Sequence, residues 1–280
     1  MDEASQAAAL RLPRILCLHG GGTNARIFRA QCRTISSLLQ PHFRLVFAEA
    51  PFPSHAGPDV LAVYQDWGPF RAWFQWHPDE PERDVDAHRT AIWARLRAAM
   101  RDDDQQGGRG EWIAVLGFSQ GAKLAASLLL LEQRLREHPH LHARLPAGGR
   151  LPPFRFAVLI AGRPPVVDLL PPAEAQPALL HLPTIHVHGL LDPGLRLHRQ
   201  LLAQCCEKGS TRLVEWQGNH RLPIKTGDAA AVVQAILATA ADAGLAEASA
   251  FAARSSSALP EAGRFAREDT IRRPDAPGPV

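Results

Sequence analysis

Short apolar runs alternate with amphipathic stretches along most of this chain. Six of the runs have the length and the continuous apolar character of strands buried on both faces: 14–18, 43–48, 113–118, 154–161, 184–187 and 212–216. Between them, apolar side chains recur at helical spacing in 25–40, 86–101, 120–131, 195–204 and 227–241. This alternation indicates βα units and predicts an α/β fold with a mostly parallel central sheet flanked by helices.

The patterning also divides the chain. Residues 1–12 lack a continuous apolar stretch and are expected to be a flexible N-terminus, whereas residues 13–242 hold every predicted element and are expected to form one domain. Residues 243–280 are rich in Ala, Ser, Arg and Pro and have few large apolar side chains, so we expect a disordered tail. Residues 138–153 resemble an inserted loop. Its three histidines favour a metal site only weakly, because the loop contains no Asp, Glu or Cys.

Composition narrows the class of protein further. The chain has 280 residues, of which 46% are hydrophobic, so it can bury a core without disulfides. Its net charge of +3 gives no reason to expect a nucleic acid or an anionic membrane as partner. The four cysteines form no Cys-x-x-Cys pair, the N-terminus is unlike a secretory signal, and the longest nearly apolar run, 124–131, is too short to span a bilayer. These features predict a cytoplasmic protein.

The sequence Gly-Phe-Ser-Gln-Gly at 117–121 lies between an apolar strand and an apolar helix. A serine in such a sharp turn has a strained backbone and points its hydroxyl out of the sheet, and glycines on both sides relieve crowding. An ordinary turn between strand and helix is the structural alternative. The strand and helix that flank the motif favour the functional interpretation, in which Ser119 is a nucleophile.

A serine hydroxyl needs a base at neutral pH, and in folds of this kind the acid and the histidine follow the serine on later strand ends. Asp192 follows the fifth predicted strand and His220 follows the sixth. We therefore predict that His220 takes the proton of Ser119 and returns it to the leaving group, and that Asp192 orients the imidazole and stabilises its charged form.

Other acidic and histidine residues compete for these roles. His186 and His188 lie in or at the end of the fifth strand, where a buried core histidine is the favoured interpretation. Asp168 follows the fourth strand, one strand too early for the usual acid, and Asp228 begins the last helix, where a carboxylate favours the helix N-terminus.

A glycine turn, His-Gly-Gly-Gly-Thr at 19–23, follows the first strand. Acyl transfer builds negative charge on a carbonyl oxygen, and two backbone N–H groups can stabilise it. We predict that one donor belongs to Gln120 and the other to Gly21, with Gly22 as the second choice, while His19 holds the turn. The alternative is a loop that merely needs glycine dihedral angles.

Six aromatic residues crowd into 64–76 (YQDWGPFRAWFQW), between the second strand and the next helix. Pockets of α/β sheets open in this region, so the segment predicts a short aromatic cap with an apolar pocket wall formed by Trp67, Phe70, Trp73 and Phe74. Packing of a long loop onto the core explains the same cluster equally well.

The chain resembles the fungal serine-hydrolase family of α/β-hydrolases from about residue 14 to residue 241. The resemblance rests on the segments LHGGGTNARIFRAQ (18–31), AEAPF (48–52), GPFRAW (68–73), LGFSQGA (116–122), HVHGLLDP (186–193) and GNHRLP (218–223). The first and third of these look most like the esterases and trans-acting thioesterases of fungal polyketide gene clusters. The resemblance implies an α/β-hydrolase fold and a Ser119–His220–Asp192 triad.

It also implies a substrate, which composition and spacing do not: an acyl thioester or ester, carried by the acyl-carrier domain of a polyketide synthase. The expected reaction needs no metal or cofactor. A general carboxylesterase of small esters is the first alternative. A non-catalytic ligand-binding member of the same fold is the second, against which the complete set of triad residues argues.

Overall fold

The computed structural model describes residues 3–81, 84–146, 149–167, 169–170 and 178–245. In chain order the strands are β1 (Arg14–Leu18), β2 (Arg44–Ala48), β3 (Phe52–Pro53), β4 (Arg71–Ala72), β5 (Trp112–Phe118), β6 (Phe156–Ile160), β7 (Thr184–Gly189) and β8 (Thr211–Trp216). Six of them form one sheet in the order β2-β1-β5-β6-β7-β8, and every neighbouring pair is parallel. The remaining two, β3 and β4, form a small antiparallel ribbon.

The helices connect these strands as the alternating pattern predicts. They are α1 (Glu3–Ala9), α2 (Ala25–Gln31), α3 (Arg33–Leu39), α4 (Leu61–Tyr64), α5 (Val85–Gln105), α6 (Gln120–Glu137), α7 (Leu195–Cys205) and α8 (Thr226–Asp242). Short 3-10 turns occur at Gln65–Trp67 and, inside the predicted loop, at Pro139–Arg144. None of the helices in the described ranges is long and apolar enough to cross a bilayer.

Two segments differ from the sequence-based expectation. Residues 3–9 form α1 within the stretch that was expected to be flexible. The single helix predicted over 25–40 is two helices that meet at Cys32, whose ψ of 0° departs from the α-helical value of about −42°. The break lets Phe28 and Leu39, on either side of it, be buried in the same core. Of the predicted tail, all residues after 245 lie outside the described part of the chain.

The sheet is covered on both faces, because successive side chains of a strand point to opposite sides. In β1, Leu16 and Leu18 pack with α5 and α6, whereas Ile15 and Cys17 pack with α2, α3 and α8. The inner strands β1, β5, β6 and β7 are buried along their whole length. This is the parallel sheet flanked by helices that the alternating pattern predicts, and its carboxyl edge carries the residues described next.

Candidate active site

Ser119 lies in the turn between β5 and α6 with φ 53° and ψ −112°. Such a conformation costs a non-glycine residue on the order of 1–3 kcal/mol. Its N–H donates to the Ile160 carbonyl (2.9 Å), which fixes the turn on the neighbouring strand. A Cβ on Gly121 would lie 2.0 Å from the Leu18 carbonyl oxygen, and one on Gly117 would lie 2.1 Å from the Gly121 carbonyl oxygen. Only glycine therefore fits on either side of the serine.

The three side chains predicted as a triad meet at the carboxyl edge of the sheet. The Ser119 hydroxyl lies 3.1 Å from Nε2 of His220, and Nδ1 of His220 lies 2.7 Å from Oδ2 of Asp192. The strand-end loops that carry Asp192 and His220 are joined by a hydrogen bond from the Leu191 N–H to the Gly218 carbonyl (2.9 Å). A linear chain of serine, imidazole and carboxylate is the arrangement that activates a serine hydroxyl.

The electrostatics of the two titratable partners suit this arrangement. Burial opposes ionisation of Asp192, but hydrogen bonds from His198, the Gly194 N–H and His220 outweigh it, so the pKa of Asp192 is below its usual value. Burial lowers the pKa of His220 below 6.5, and its hydrogen bond to Asp192 only partly offsets this. His220 is therefore unprotonated at neutral pH and free to accept a proton.

A second histidine contacts the same carboxylate. His198, on α7, is fully buried; its Nε2 lies 2.9 Å from Oδ2 of Asp192 and its Nδ1 lies 2.8 Å from the Gly162 carbonyl oxygen. Sequence reasoning missed this residue, because a single histidine in an amphipathic helix carries no local signature. Its position six residues after Asp192 is the only signal that could have singled it out.

The glycine turn after β1 faces the same site. The Gly22 N–H donates to the Arg71 carbonyl (3.0 Å), whereas no acceptor for the Gly21 N–H lies within hydrogen-bond distance in the described ranges. A Cβ on Gly21 would lie 2.7 Å from the end of the Gln120 side chain, so a larger residue there would displace that side chain. Gly21 is therefore better suited than Gly22 to the predicted role of second oxyanion donor. The other predicted donor, the Gln120 N–H, lies at the start of α6, where N–H groups have no partner within the helix.

His19 holds this turn, as predicted. Its ring is fully buried, Nδ1 lies 2.7 Å from the Gly20 carbonyl oxygen, and the Ala50 N–H donates to Nε2 (3.1 Å). The His19 ring thus ties the turn after β1 to the backbone after β2.

The position of Trp73 differs from the prediction that it lines the pocket wall. Its ring is fully buried in the main core, and its indole N–H donates to the His19 carbonyl (2.9 Å). The Gln120 side chain accepts from the N–H groups of Trp73 (3.0 Å) and Phe74 (3.3 Å) and donates to the Phe74 carbonyl (3.0 Å). Trp73 is therefore a core residue that braces the glycine turn and offers no face to an acyl chain.

The other three aromatic residues of the predicted wall are half-buried. The ring of Phe74 lies 5.4 Å from the Lys123 ammonium group. Trp67 lies under the Arg26 guanidinium (4.1 Å). Phe70 lies in the cap between the Gln65–Trp67 turn and β4. Of these three residues, Phe74 is the one whose backbone forms hydrogen bonds with the Gln120 side chain.

The competing residues behave as the sequence analysis favoured. His186 and His188 are buried core histidines, and burial lowers the pKa of each to about 3. Asp228 lies in the first turn of α8. Asp168 lies outside the described residues.

Two groups of side chains in the described ranges bring three possible metal-donor atoms close together. One group consists of His55 and Asp79, which are exposed, and His77, which is half-buried. The other is Asp192 with its two histidines, where the hydrogen bonds given above account for the short separations. Acyl transfer through a serine requires a metal ion at neither group.

Comparison with known proteins places this geometry in a family. The sequence profile described as "Serine hydrolase (FSH1)" matches residues 9–232. The esterase pigG of Monascus ruber is 49% identical over an alignment of 269 residues that covers 87% of this chain and 97% of that protein. The probable esterase azaC of Aspergillus niger is 55% identical over 232 residues, covering 81% of this chain and 85% of that protein. A crystal structure of a carboxylesterase from Mesorhizobium loti is 22% identical with a TM-score of 0.47, covering 80% of this chain and 88% of that one.

The family match takes in the glycine turn, the serine turn and both strand-end loops, and it spans well over half of the chain. The chain belongs to the serine hydrolase (FSH1) family.

Proposed function

We propose that this enzyme releases or processes a polyketide acyl chain by hydrolysing its thioester or ester bond through a covalent Ser119 intermediate. The observation that carries the mechanism is the hydrogen-bonded chain from the Ser119 hydroxyl (3.1 Å) through His220 to Asp192 (2.7 Å). The names of the relatives, all esterases among those described above, support an ester or thioester bond as the target.

In the first half-reaction, Oγ of Ser119 attacks the acyl carbonyl carbon while Nε2 of His220 takes the hydroxyl proton. The Nδ1–H of His220 donates to Asp192 throughout, which stabilises the imidazolium. The carbonyl oxygen becomes an oxyanion and accepts hydrogen bonds from the N–H groups of Gln120 and Gly21; loss of one such donor typically costs about 3 kcal/mol of transition-state stabilisation. Collapse of the tetrahedral adduct breaks the bond to the thiol or alcohol, which leaves with the proton from His220.

In the second half-reaction, water takes the place of the leaving group. His220 removes a proton from the water as its oxygen attacks the acyl-enzyme, and the same two N–H groups stabilise the second oxyanion. Departure of Oγ with the proton held by His220 regenerates Ser119 and releases the free acid. Each step uses only residues of this chain, substrate and water.

The substrate class is supported by the resemblance of residues 18–31 and 68–73 to the polyketide-cluster esterases and thioesterases. In the structure these two segments are in contact, because the Asn24 side-chain amide donates to the carbonyls of Trp67 (2.7 Å) and Pro69 (3.1 Å). The two shared motifs are therefore joined to each other in the structure. An acyl-carrier domain is the partner we propose, as the source of the thioester.

A cytoplasmic location is part of the proposal. All four cysteines are free thiols in the structure, which suits a reducing compartment. A fluorescent fusion expressed in a filamentous fungus would give diffuse cytoplasmic signal, whereas signal confined to the secretory pathway or the medium would contradict the assignment.

The decisive test compares acyl-N-acetylcysteamine thioesters with matched oxygen esters of increasing chain length, using wild type and Ser119→Ala. We expect a serine-dependent acyl adduct in the intact mass and faster turnover of medium and long polyketide-like thioesters. Turnover confined to short oxygen esters would favour a general carboxylesterase instead. The absence of both adduct and turnover, with carrier-bound thioesters included, would favour a non-catalytic binding protein.

Ser127→Ala is the matched control for the serine substitution. Ser127 is a buried serine of α6 whose hydroxyl donates to the Lys123 carbonyl (2.8 Å) and accepts from the Val167 N–H (2.9 Å). Its loss should lower stability by about 1 kcal/mol and leave the acyl adduct in place. An equal loss of adduct in both variants would mean that Ser119→Ala acts through folding.

A further inference from the structure

Asp192 is shared by two histidines rather than one. Its side chain is fully buried and has three hydrogen-bond partners: the Gly194 N–H at Oδ1 (2.7 Å), and both His198 (2.9 Å) and His220 (2.7 Å) at Oδ2. In the mechanism above only His220 has a task. His198 is fully buried, touches no substrate and is left without an assigned role.

The partners of His198 define where its protons lie. Nδ1 lies 2.8 Å from the Gly162 carbonyl oxygen, which can only accept, so Nδ1 carries a hydrogen. Nε2 lies 2.9 Å from a carboxylate oxygen that already accepts from His220 and also can only accept while ionised. Both nitrogens of His198 therefore face acceptors, and a neutral imidazole has only one N–H to offer.

We propose that His198 is a positioning residue of the active site. It holds an N–H on both ring nitrogens, anchors Asp192 to the end of β6, and shares the negative charge of the Asp192 carboxylate with His220. This inference rests on the proposed function, since it assigns His198 a part in activating Ser119. The resting cluster of Asp192, His198 and His220 carries one more proton than a serine–histidine–aspartate triad alone. That proton stays on His198 during turnover, so the proton transfers between Ser119, His220 and the substrate are unchanged.

Two consequences follow for His220. The first is geometric, because Asp192 is fixed from two sides and presents Oδ2 to His220 in one orientation. The second is electrostatic, because the rings of His198 and His220 are stacked 6.0 Å apart, so a proton on His198 opposes a proton on His220. His198 thereby keeps His220 available as a base at lower pH. Burial and this repulsion both act to lower the pKa of His220.

Among the described residues, His188 and Arg163 are further titratable or charged groups near the pair. His188 of β7 lies 5.7 Å from the His198 ring and is neutral, since burial lowers its pKa to about 3. The Arg163 guanidinium packs against Gly194 and also lowers the pKa of His220. Asp192 is the carboxylate that acts on His220 most strongly. A substitution of His198 leaves all of these groups in place.

The test uses the full-length enzyme and the second-order rate constant for phosphonylation of Ser119 by a fluorophosphonate, measured from pH 5 to 9. This probe needs the triad but no knowledge of the natural acyl chain. His198→Asn retains a donor at the Nδ1 position, toward Gly162, and loses the bond to Asp192. His198→Gln retains a neutral donor at the Nε2 position, toward Asp192, and loses the charge.

For His198→Asn we expect the plateau rate to fall about ten- to hundredfold and the midpoint of the acid limb to rise by about one pH unit. His198→Gln should recover most of the plateau rate but keep the raised midpoint. A buried histidine that contacts no triad member, His186, provides the control: His186→Asn should lower stability and leave the midpoint unchanged. A wild-type plateau and midpoint in His198→Asn would overturn the proposal, as would an equal midpoint shift in the control.

A second measurement needs no variant to fold. Nitrogen-15 NMR of the wild-type histidines should show His198 with a hydrogen on both ring nitrogens at pH 7, and a neutral His198 would contradict the inference. A wild-type enzyme that the probe does not label would instead contradict the proposed role of Ser119, while the NMR result would still decide the state of His198.

Discussion

The serine turn (residues 117–121) and the aromatic segment (residues 64–76) meet at Gln120, yet they are held in place by different forces. The turn is fixed by crowding between backbone atoms, since a Cβ on Gly117 would overlap the Gly121 carbonyl and one on Gly121 would overlap the Leu18 carbonyl of β1. The aromatic segment is held by side-chain contacts, such as the hydrogen bond from the Trp73 indole to the His19 carbonyl. Backbone sterics therefore build the setting of the nucleophile, whereas side-chain packing decides which aromatic residue lines a pocket.

The largest effect should come from breaking the turn itself. Gly121→Ala brings a Cβ to 2.0 Å from the Leu18 carbonyl oxygen, so β1 and α6 must separate. We expect the free energy of unfolding to fall by about 4 kcal/mol or more and ester hydrolysis to be lost. Urea unfolding and activity assays measure both quantities.

Gly227→Ala is the control for that substitution. Gly227 lies in the first turn of α8, and an added Cβ would meet nothing within 4 Å. Alanine should stabilise the protein there by up to about 1 kcal/mol. If both substitutions had the same small effect, crowding of Gly121 against β1 would not be what fixes the serine turn.

The next effect, on the aromatic side of the comparison, concerns Trp73. Trp73→Phe removes the hydrogen bond to the His19 carbonyl and leaves a cavity in the core, so we expect a loss of about 2–3 kcal/mol in the free energy of unfolding. The preference of the enzyme for acyl-chain length should not change, because a fully buried ring cannot touch the chain. A changed preference without a loss of stability would restore Trp73 to the pocket wall.

The two regions also differ in how far the sequence alone defines them. Strand β1 coincides with the predicted run at 14–18, since an unbroken apolar stretch ending in glycines leaves little choice. The proximity of Ser119, Asp192 and His220 was predictable because the carboxyl ends of parallel strands share one edge of the sheet. These inferences depend only on local pattern and on the geometry of parallel sheets.

Three failures of the sequence-based predictions involve tertiary packing. The helix break at Cys32 serves burial on both sides of it, which helical periodicity does not reveal. Trp73 and Phe74 are adjacent aromatics, and only the fold determines that the first enters the core while the second stays half-buried. His198 reaches Asp192 because α7 packs beside β7. No residue pattern along one element encodes such a contact.

Gln120 joins the two regions, because its backbone belongs to the serine turn and its side chain bonds to the aromatic segment. Substitutions of its side chain should have effects of intermediate size on activity and stability. Gln120→Ala keeps the backbone N–H but loses the three hydrogen bonds to residues 73 and 74. We expect kcat/KM to fall about tenfold, equivalent to about 1.4 kcal/mol, with a similar loss of stability. Gln120→Glu keeps an acceptor for the N–H groups of Trp73 and Phe74 but brings a carboxylate to the predicted oxyanion donors. It should lose more rate than stability, and the opposite order would mean that Gln120 only braces the aromatic segment.

The smallest effect belongs to Trp67, at the edge of the aromatic segment. Its half-buried ring contacts Tyr64 (5.2 Å between ring centroids) and lies under the Arg26 guanidinium (4.1 Å), a cation–π contact worth about 0.5–1 kcal/mol. Trp67→Leu should therefore cost less than about 1 kcal/mol in the free energy of unfolding, and Arg26→Gln should cost about the same, with no additional loss in the double variant. Measurements of kcat/KM then distinguish an aromatic cap that lines the substrate pocket from one that only packs onto the core. Trp67→Leu leaves the kcat/KM of every ester unchanged if the cap only packs onto the core, and it lowers kcat/KM for long acyl chains alone if Trp67 lines the pocket.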